Sequence, residues 1–97
     1  MEKFKQKIKE AYIHSMFPGT HIGWHNDGGH KSALTIYLNK EWNRNHGGLF
    51  LFDQEKGHGF LVPERNLGVY QMGGIWHAVS ALTKTAPPRE SIQIFMK

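Results

Sequence analysis

The local arrangement with the clearest chemical use in this chain is His25-Asn26-Asp27. On an extended strand, positions i and i+2 project to the same face, so an imidazole and a carboxylate can share one cation. His77 stands far along the chain in a second strand-like run, Ile75 to Ser80. Two imidazoles and one carboxylate on neighbouring strands make the facial triad that holds non-haem Fe(II) and leaves coordination positions open. An H-x-D match alone carries little weight in a chain with seven His, because chance supplies that spacing often. Arg89 adds a constraint. It opens the last strand-like run, and its planar guanidinium can bind a carboxylate through two parallel hydrogen bonds. Tyr37 sits on the polar side of its own run and can donate a further hydrogen bond to the same carboxylate. Strand parity allows His25, Asp27, Tyr37, His77 and Arg89 to point into one lumen.

Other polar and aromatic residues read more plainly. His21 and His30 flank the H-x-D motif and are expected at the surface or at a cavity mouth. Trp24, Trp42 and Trp76 are read as core residues, the usual fate of a tryptophan. Gly47-Gly48 is read as a turn or bulge where no side chain fits.

The elements that must position these residues are limited by composition. The chain has 97 residues, 39% hydrophobic and 21% charged, which is enough for one core and one domain over residues 1–97. There is no cysteine, so any metal site is built from His, Asp and Glu. The longest apolar stretch, Leu49 to Phe52, is far too short to cross a membrane, and the amino terminus shows no secretory signal. A cytoplasmic protein without a membrane partner is expected. The formal charge of +4 comes largely from Lys3, Lys5, Lys7 and Lys9, a pattern read as a solvated face. Nucleic acid is not an expected partner.

Phe4, Ile8, Ala11 and Tyr12 recur at helical spacing, which predicts an amphipathic helix over Glu2–Tyr12, ended before the Phe17-Pro18-Gly19 turn. Seven short runs rich in β-branched and aromatic residues follow, separated by Gly, Asn, Asp and Pro. They are 20–25, 32–39, 48–53, 59–62, 68–72, 75–80 and 90–96, and they predict an antiparallel sandwich or barrel. Two runs alternate informatively. Leu34, Ile36 and Leu38 oppose Ala33, Thr35, Tyr37 and Asn39, while Ile92, Ile94 and Met96 oppose Arg89, Ser91, Gln93 and Phe95. The polar sides either face water, as in a half-buried strand, or line a lumen; alternation fits both. So small a barrel leaves sheet edges exposed, which invites a homodimer with two-fold symmetry.

The order of these motifs resembles the iron(II)- and 2-oxoglutarate-dependent dioxygenases. His25-x-Asp27 is followed by Tyr37-Leu38-Asn39-Lys40-Glu41-Trp42, Gly47-Gly48-Leu49, Trp76-His77-x-Val79 and Arg89-x-Ser91-Ile92. It is most similar to the prolyl 4-hydroxylase branch and runs from about Pro18 to Met96. The resemblance implies a mainly β fold, the double-stranded β-helix or jelly-roll barrel, here with one N-terminal helix. It implies His25, Asp27 and His77 as iron ligands, with no catalytic residue beyond them. Arg89, assisted by Tyr37, would hold the distal carboxylate of 2-oxoglutarate. The implied cofactors are Fe(II), 2-oxoglutarate and dioxygen, with ascorbate in support. The implied activity is hydroxylation of an unactivated C–H on a peptide or small molecule, peptidyl proline first. Relatives carry more helices and strands before the motif. Many have a tyrosine on the preceding strand, where Tyr12 or Phe17 would fall. The competing reading is a cupin-like metal-binding barrel without redox activity. Its usual motif wants two near-adjacent His and a Glu a few residues on, which His25-Asn26-Asp27 does not supply.

Overall fold

The computed structural model describes residues 7–26, 29, 31–54 and 57–97. Eight strands are found among them: β1 (Ile8–Met16), β2 (Ile22–His25), β3 (Ser32–Tyr37), β4 (Phe50–Gln54), β5 (Gly57–Leu61), β6 (Gly68–Met72), β7 (His77–Val79) and β8 (Arg89–Met96). They form two antiparallel four-stranded sheets, ordered β1-β8-β3-β6 and β2-β7-β4-β5. This is the strand order of a jelly roll, in which the chain crosses repeatedly between the sheets and the β4–β5 hairpin stays within one of them.

The first strand corrects the sequence reading. Residues 2–6 of the predicted helix lie outside the described residues, and Ile8–Tyr12 are strand. Two periods compete in Ile-Lys-Glu-Ala-Tyr-Ile-His-Ser-Met: the helical one through Ile8, Ala11 and Tyr12, and an alternating one through Tyr12, His14 and Met16. The alternating one wins because β8 offers a full ladder, from Ile8 opposite Met96 to Met16 opposite Arg89, with a bulge between Ile8 and Glu10. Local helix propensity is a weak preference beside a complete set of cross-strand hydrogen bonds.

The alternation in β3 and β8 resolves in favour of the lumen. Ala33, Thr35, Tyr37 and Asn39 are buried, and so are Arg89, Ser91 and Phe95, with Gln93 half-buried. On the opposite face, Leu34, Ile36, Ile92 and Ile94 are only half-buried. The sheet is therefore polar inside and apolar outside. A compact apolar cluster of Met16, Val79, Leu82 and Ala86, packed by Ile22 and Trp42, lies at the Arg89 end of the lumen.

Three loop residues fix the entry to β4. A 3-10 turn at Arg44–His46, capped by the Asn43 side chain, leads into Gly47 and Gly48, both at positive φ. Gly47 pairs with Leu82, and Gly48 N–H donates to the Ser80 carbonyl at 3.1 Å. No helix among the described residues is long and apolar enough to cross a membrane.

Candidate active site

His25 on β2 and His77 on β7 stand directly opposite each other in the ladder, with ring centroids 4.2 Å apart. The ladder itself places them: opposed residues on one face of an antiparallel pair have side chains in contact. In each ring Nδ1 lies 2.7 Å from the carbonyl two residues earlier, Gly23 for His25 and Ile75 for His77. A carbonyl can only accept, so Nδ1 carries a proton and, in the neutral ring, the lone pair sits on Nε2. This is the tautomer a metal-binding histidine needs, and a backbone acceptor on the other nitrogen is the usual way to fix it. His77 is 6% exposed and stacks on Phe50 at 5.6 Å. Asp27 lies outside the described residues. Among the described residues no group of three His, Asp or Glu side chains gathers to hold a metal ion.

Across the lumen, Arg89 and Tyr37 are fully enclosed, at 2% and 0% exposure. Arg89 Nε donates to the Gly48 carbonyl at 2.7 Å, Nη2 to the Tyr37 hydroxyl at 3.4 Å, and Nη1 points at the Met16 sulfur at 3.8 Å. The guanidinium also lies over the Tyr37 ring, 5.0 Å from its centroid. Among the described residues, none of these partners is a carboxylate. Burial lowers the pKa of Arg89, only partly opposed by Tyr37, yet a guanidinium stays charged at any ordinary pH. Burial likewise raises the pKa of Tyr37, against the pull of Arg89, so its phenol is neutral and can donate. A buried cation without an anion costs several kcal/mol, on the order of the desolvation of one ion, so the chemistry of this end of the lumen suits an anionic ligand.

The two ends belong to one cavity of about 190 Å³, lined by His25, His77, Tyr37 and Arg89 together. Its remaining wall holds residues to which the sequence reading gave no role in the site, apart from Tyr12, which the resemblance had set against the tyrosine of the preceding strand. Tyr12 and His14 reach it from β1; the helical reading covered Tyr12 and stopped short of His14. Burial, then the Arg89 charge, lowers the pKa of His14, so it favours the neutral form. Thr35 and Gln93 line it from β3 and β8. The Thr35 hydroxyl donates to Gln93 Oε1 at 3.0 Å, and Gln93 Nε2 donates to the Ser91 hydroxyl at 2.8 Å. The alternation of β3 and β8 was the signal that could have found them. Trp24 and Trp76, expected in the core, are half-exposed, whereas Trp42 packs against the core and donates to the Gly47 carbonyl at 2.9 Å. His21 lies at the surface, as expected; His30 is outside the described residues.

The donor set present suits a divalent metal, with two imidazoles in the metal-binding tautomer, and suits a small organic acid, with an enclosed guanidinium beside a neutral phenol. No family model matches the sequence, and no curated protein matches it. Solved structures do. An oxidoreductase of the 2OG-Fe(II) oxygenase family from Burkholderia pseudomallei superposes with TM-score 0.84 at 19% identity, covering 98% of this chain and 46% of that one. A Pseudomonas putida prolyl-4-hydroxylase gives 0.82 at 20% identity, covering 90% and 50%. The chain has the fold of these oxygenases. It resembles the prolyl 4-hydroxylase structures in three dimensions as it does in its motifs. It spans about half the length of the two oxygenases just described. A cupin domain from Bordetella pertussis shares the fold less closely, with TM-score 0.61 at 14% identity over 95% of this chain and 91% of that one.

Proposed function

We propose that this domain binds Fe(II) through His25, Asp27 and His77 and 2-oxoglutarate through Arg89 and Tyr37, and hydroxylates an unactivated C–H as prolyl 4-hydroxylases do. The observation that carries the reading is the enclosed Arg89, with no carboxylate partner among the described residues, facing the same cavity as the His25–His77 pair. When bound, iron, 2-oxoglutarate and dioxygen supply an oxidative decarboxylation, with succinate and carbon dioxide as products, that places one oxygen atom on the substrate carbon. The protein orients and excludes water. Arg89 offsets one of the two charges of the diacid through parallel hydrogen bonds, and Tyr37 adds a neutral donor. The backbone carbonyls of Gly23 and Ile75 hold the two imidazoles in the required tautomer. Asp27, as an ionised ligand, completes the charge balance at the metal. Peptidyl proline is the first substrate to try, followed by free amino acids, in a cytoplasmic setting.

Mass spectrometry decides this. Incubation with Fe(II), 2-oxoglutarate and ascorbate should yield succinate and, with the right peptide or extract component, a gain of one oxygen. Iron binding with no 2-oxoglutarate consumed in the presence of any substrate would leave the cupin-like reading, which the shared fold with the Bordetella pertussis domain keeps open.

A further inference from the structure

We propose that Gly48 is a positioning residue that sets the reach of Arg89 and so the length of diacid the cavity accepts. The inference rests on Arg89 being the partner of the far carboxylate. Gly48 does not line the cavity; it stands behind Arg89 and holds it from there. Its carbonyl accepts the Arg89 Nε–H hydrogen bond at 2.7 Å, which fixes the guanidinium with Nη2 against the Tyr37 hydroxyl in the cavity wall and Nη1 against the Met16 sulfur. The carbonyl is itself held firmly. Gly48 N–H bonds to the Ser80 carbonyl at 3.1 Å, and the next amide, Leu49, bonds to the Ser80 hydroxyl at 2.9 Å. The preceding Gly47 is held as well: it bridges to Leu82, its N–H donates to the Arg44 carbonyl at 3.1 Å, and its oxygen accepts from Trp42 Nε1.

The missing side chain matters as much as the carbonyl. A Cβ on Gly48 would meet Arg89 Cδ at 3.0 Å, Leu82 Cδ1 at 3.1 Å and Trp42 Cζ2 at 3.1 Å. Leu82 is packed in the apolar cluster and Trp42 is anchored by its Nε1 hydrogen bond to the Gly47 carbonyl, whereas Arg89 has the cavity in front of it. Arg89 is therefore the group that yields, by a few tenths of an ångström into the lumen. A guanidinium moved forward shortens the span to the histidine pair and suits a shorter diacid.

Calorimetry on the anaerobic Fe(II)-loaded protein tests this with oxaloacetate, 2-oxoglutarate and 2-oxoadipate, three 2-oxo diacids differing by one methylene each. The wild type should prefer 2-oxoglutarate. In Gly48→Ala, its preference over oxaloacetate should fall by about threefold to tenfold, the lower end of what one methylene can discriminate. Simple damage to the fold would weaken all three in proportion, and an unchanged ratio overturns the inference. Gly48 has a positive φ of 62°, so Gly48→Ala carries backbone strain. Should its melting curve show that it does not fold, Trp42→Phe serves instead, because it frees the Gly47 carbonyl and touches no backbone angle. It should lower the same ratio about twofold to threefold, again with an unchanged ratio as the contrary result. A wild type that binds all three equally overturns this inference alone. A wild type that binds none overturns the 2-oxoglutarate reading and this inference with it.

Discussion

Arg89 is the residue on which the functional reading turns, and its environment makes a graded set of variants informative. It is not placed among the metal ligands, so Arg89→Ala should keep iron binding. Its affinity for 2-oxoglutarate should nevertheless fall by about 2–4 kcal/mol, the cost of leaving one carboxylate without its hydrogen-bonded partner. Arg89→Lys should recover only part of this, since an ammonium cannot reproduce two parallel hydrogen bonds and loses the contact with the Gly48 carbonyl. Tyr37→Phe should cost about 1 kcal/mol, one hydrogen bond to a charged acceptor. Titration of each iron-loaded variant gives the order, and unchanged affinity in Arg89→Ala would remove the cosubstrate from this end of the lumen. Much of this geometry was legible in the sequence. Arg89 and Tyr37 fall on the polar parity of their strands, and the structure puts both on the cavity that the His25–His77 pair also lines. Their inward direction was not legible, because a lumen-facing strand and a half-buried strand alternate identically.

At the scale of elements, the seven runs rich in β-branched and aromatic residues located β2 to β8, with shifts of a few residues at their ends. Tight turns at Gly and Pro made those boundaries visible. The first strand escaped because its partner, β8, comes from the far end of the chain, and no local pattern announces a pairing that distant. That strand brings His14 into the cavity. Burial and the Arg89 charge lower its pKa, so the folded state favours the neutral imidazole while the unfolded chain keeps the ordinary value. Below that ordinary value the unfolded state binds more protons, and stability rises with pH. The contribution is fully present above the ordinary imidazole pKa and is lost as pH falls through it toward the lowered folded value. Denaturant unfolding across this window should show the metal-free wild type losing stability faster on acidification than His14→Gln. Parallel pH dependences for the two would contradict a partly buried His14 held neutral in the folded state.

The β1-β8-β3-β6 sheet turns Thr35, Tyr37, Arg89, Ser91 and Gln93 toward the lumen and several apolar side chains outward. Ile13 on the outer face of β1 is 68% exposed, and Tyr70 and Met72 on β6 are about half-exposed. Exposed apolar surface of this kind is usually an interface, and a second copy of the chain is one cover for it. Sedimentation should show mass rising with concentration; a clean monomer at high concentration would count against a homodimer. The central claim is that one cavity holds iron and a chelating 2-oxo acid together, and the visible spectrum reports on that arrangement directly. Anaerobic protein loaded with Fe(II) should develop a weak charge-transfer band that grows and saturates as 2-oxoglutarate is added. His77→Ala should lose both the band and the metal. A wild type that binds iron and never develops the band would contradict the 2-oxoglutarate site.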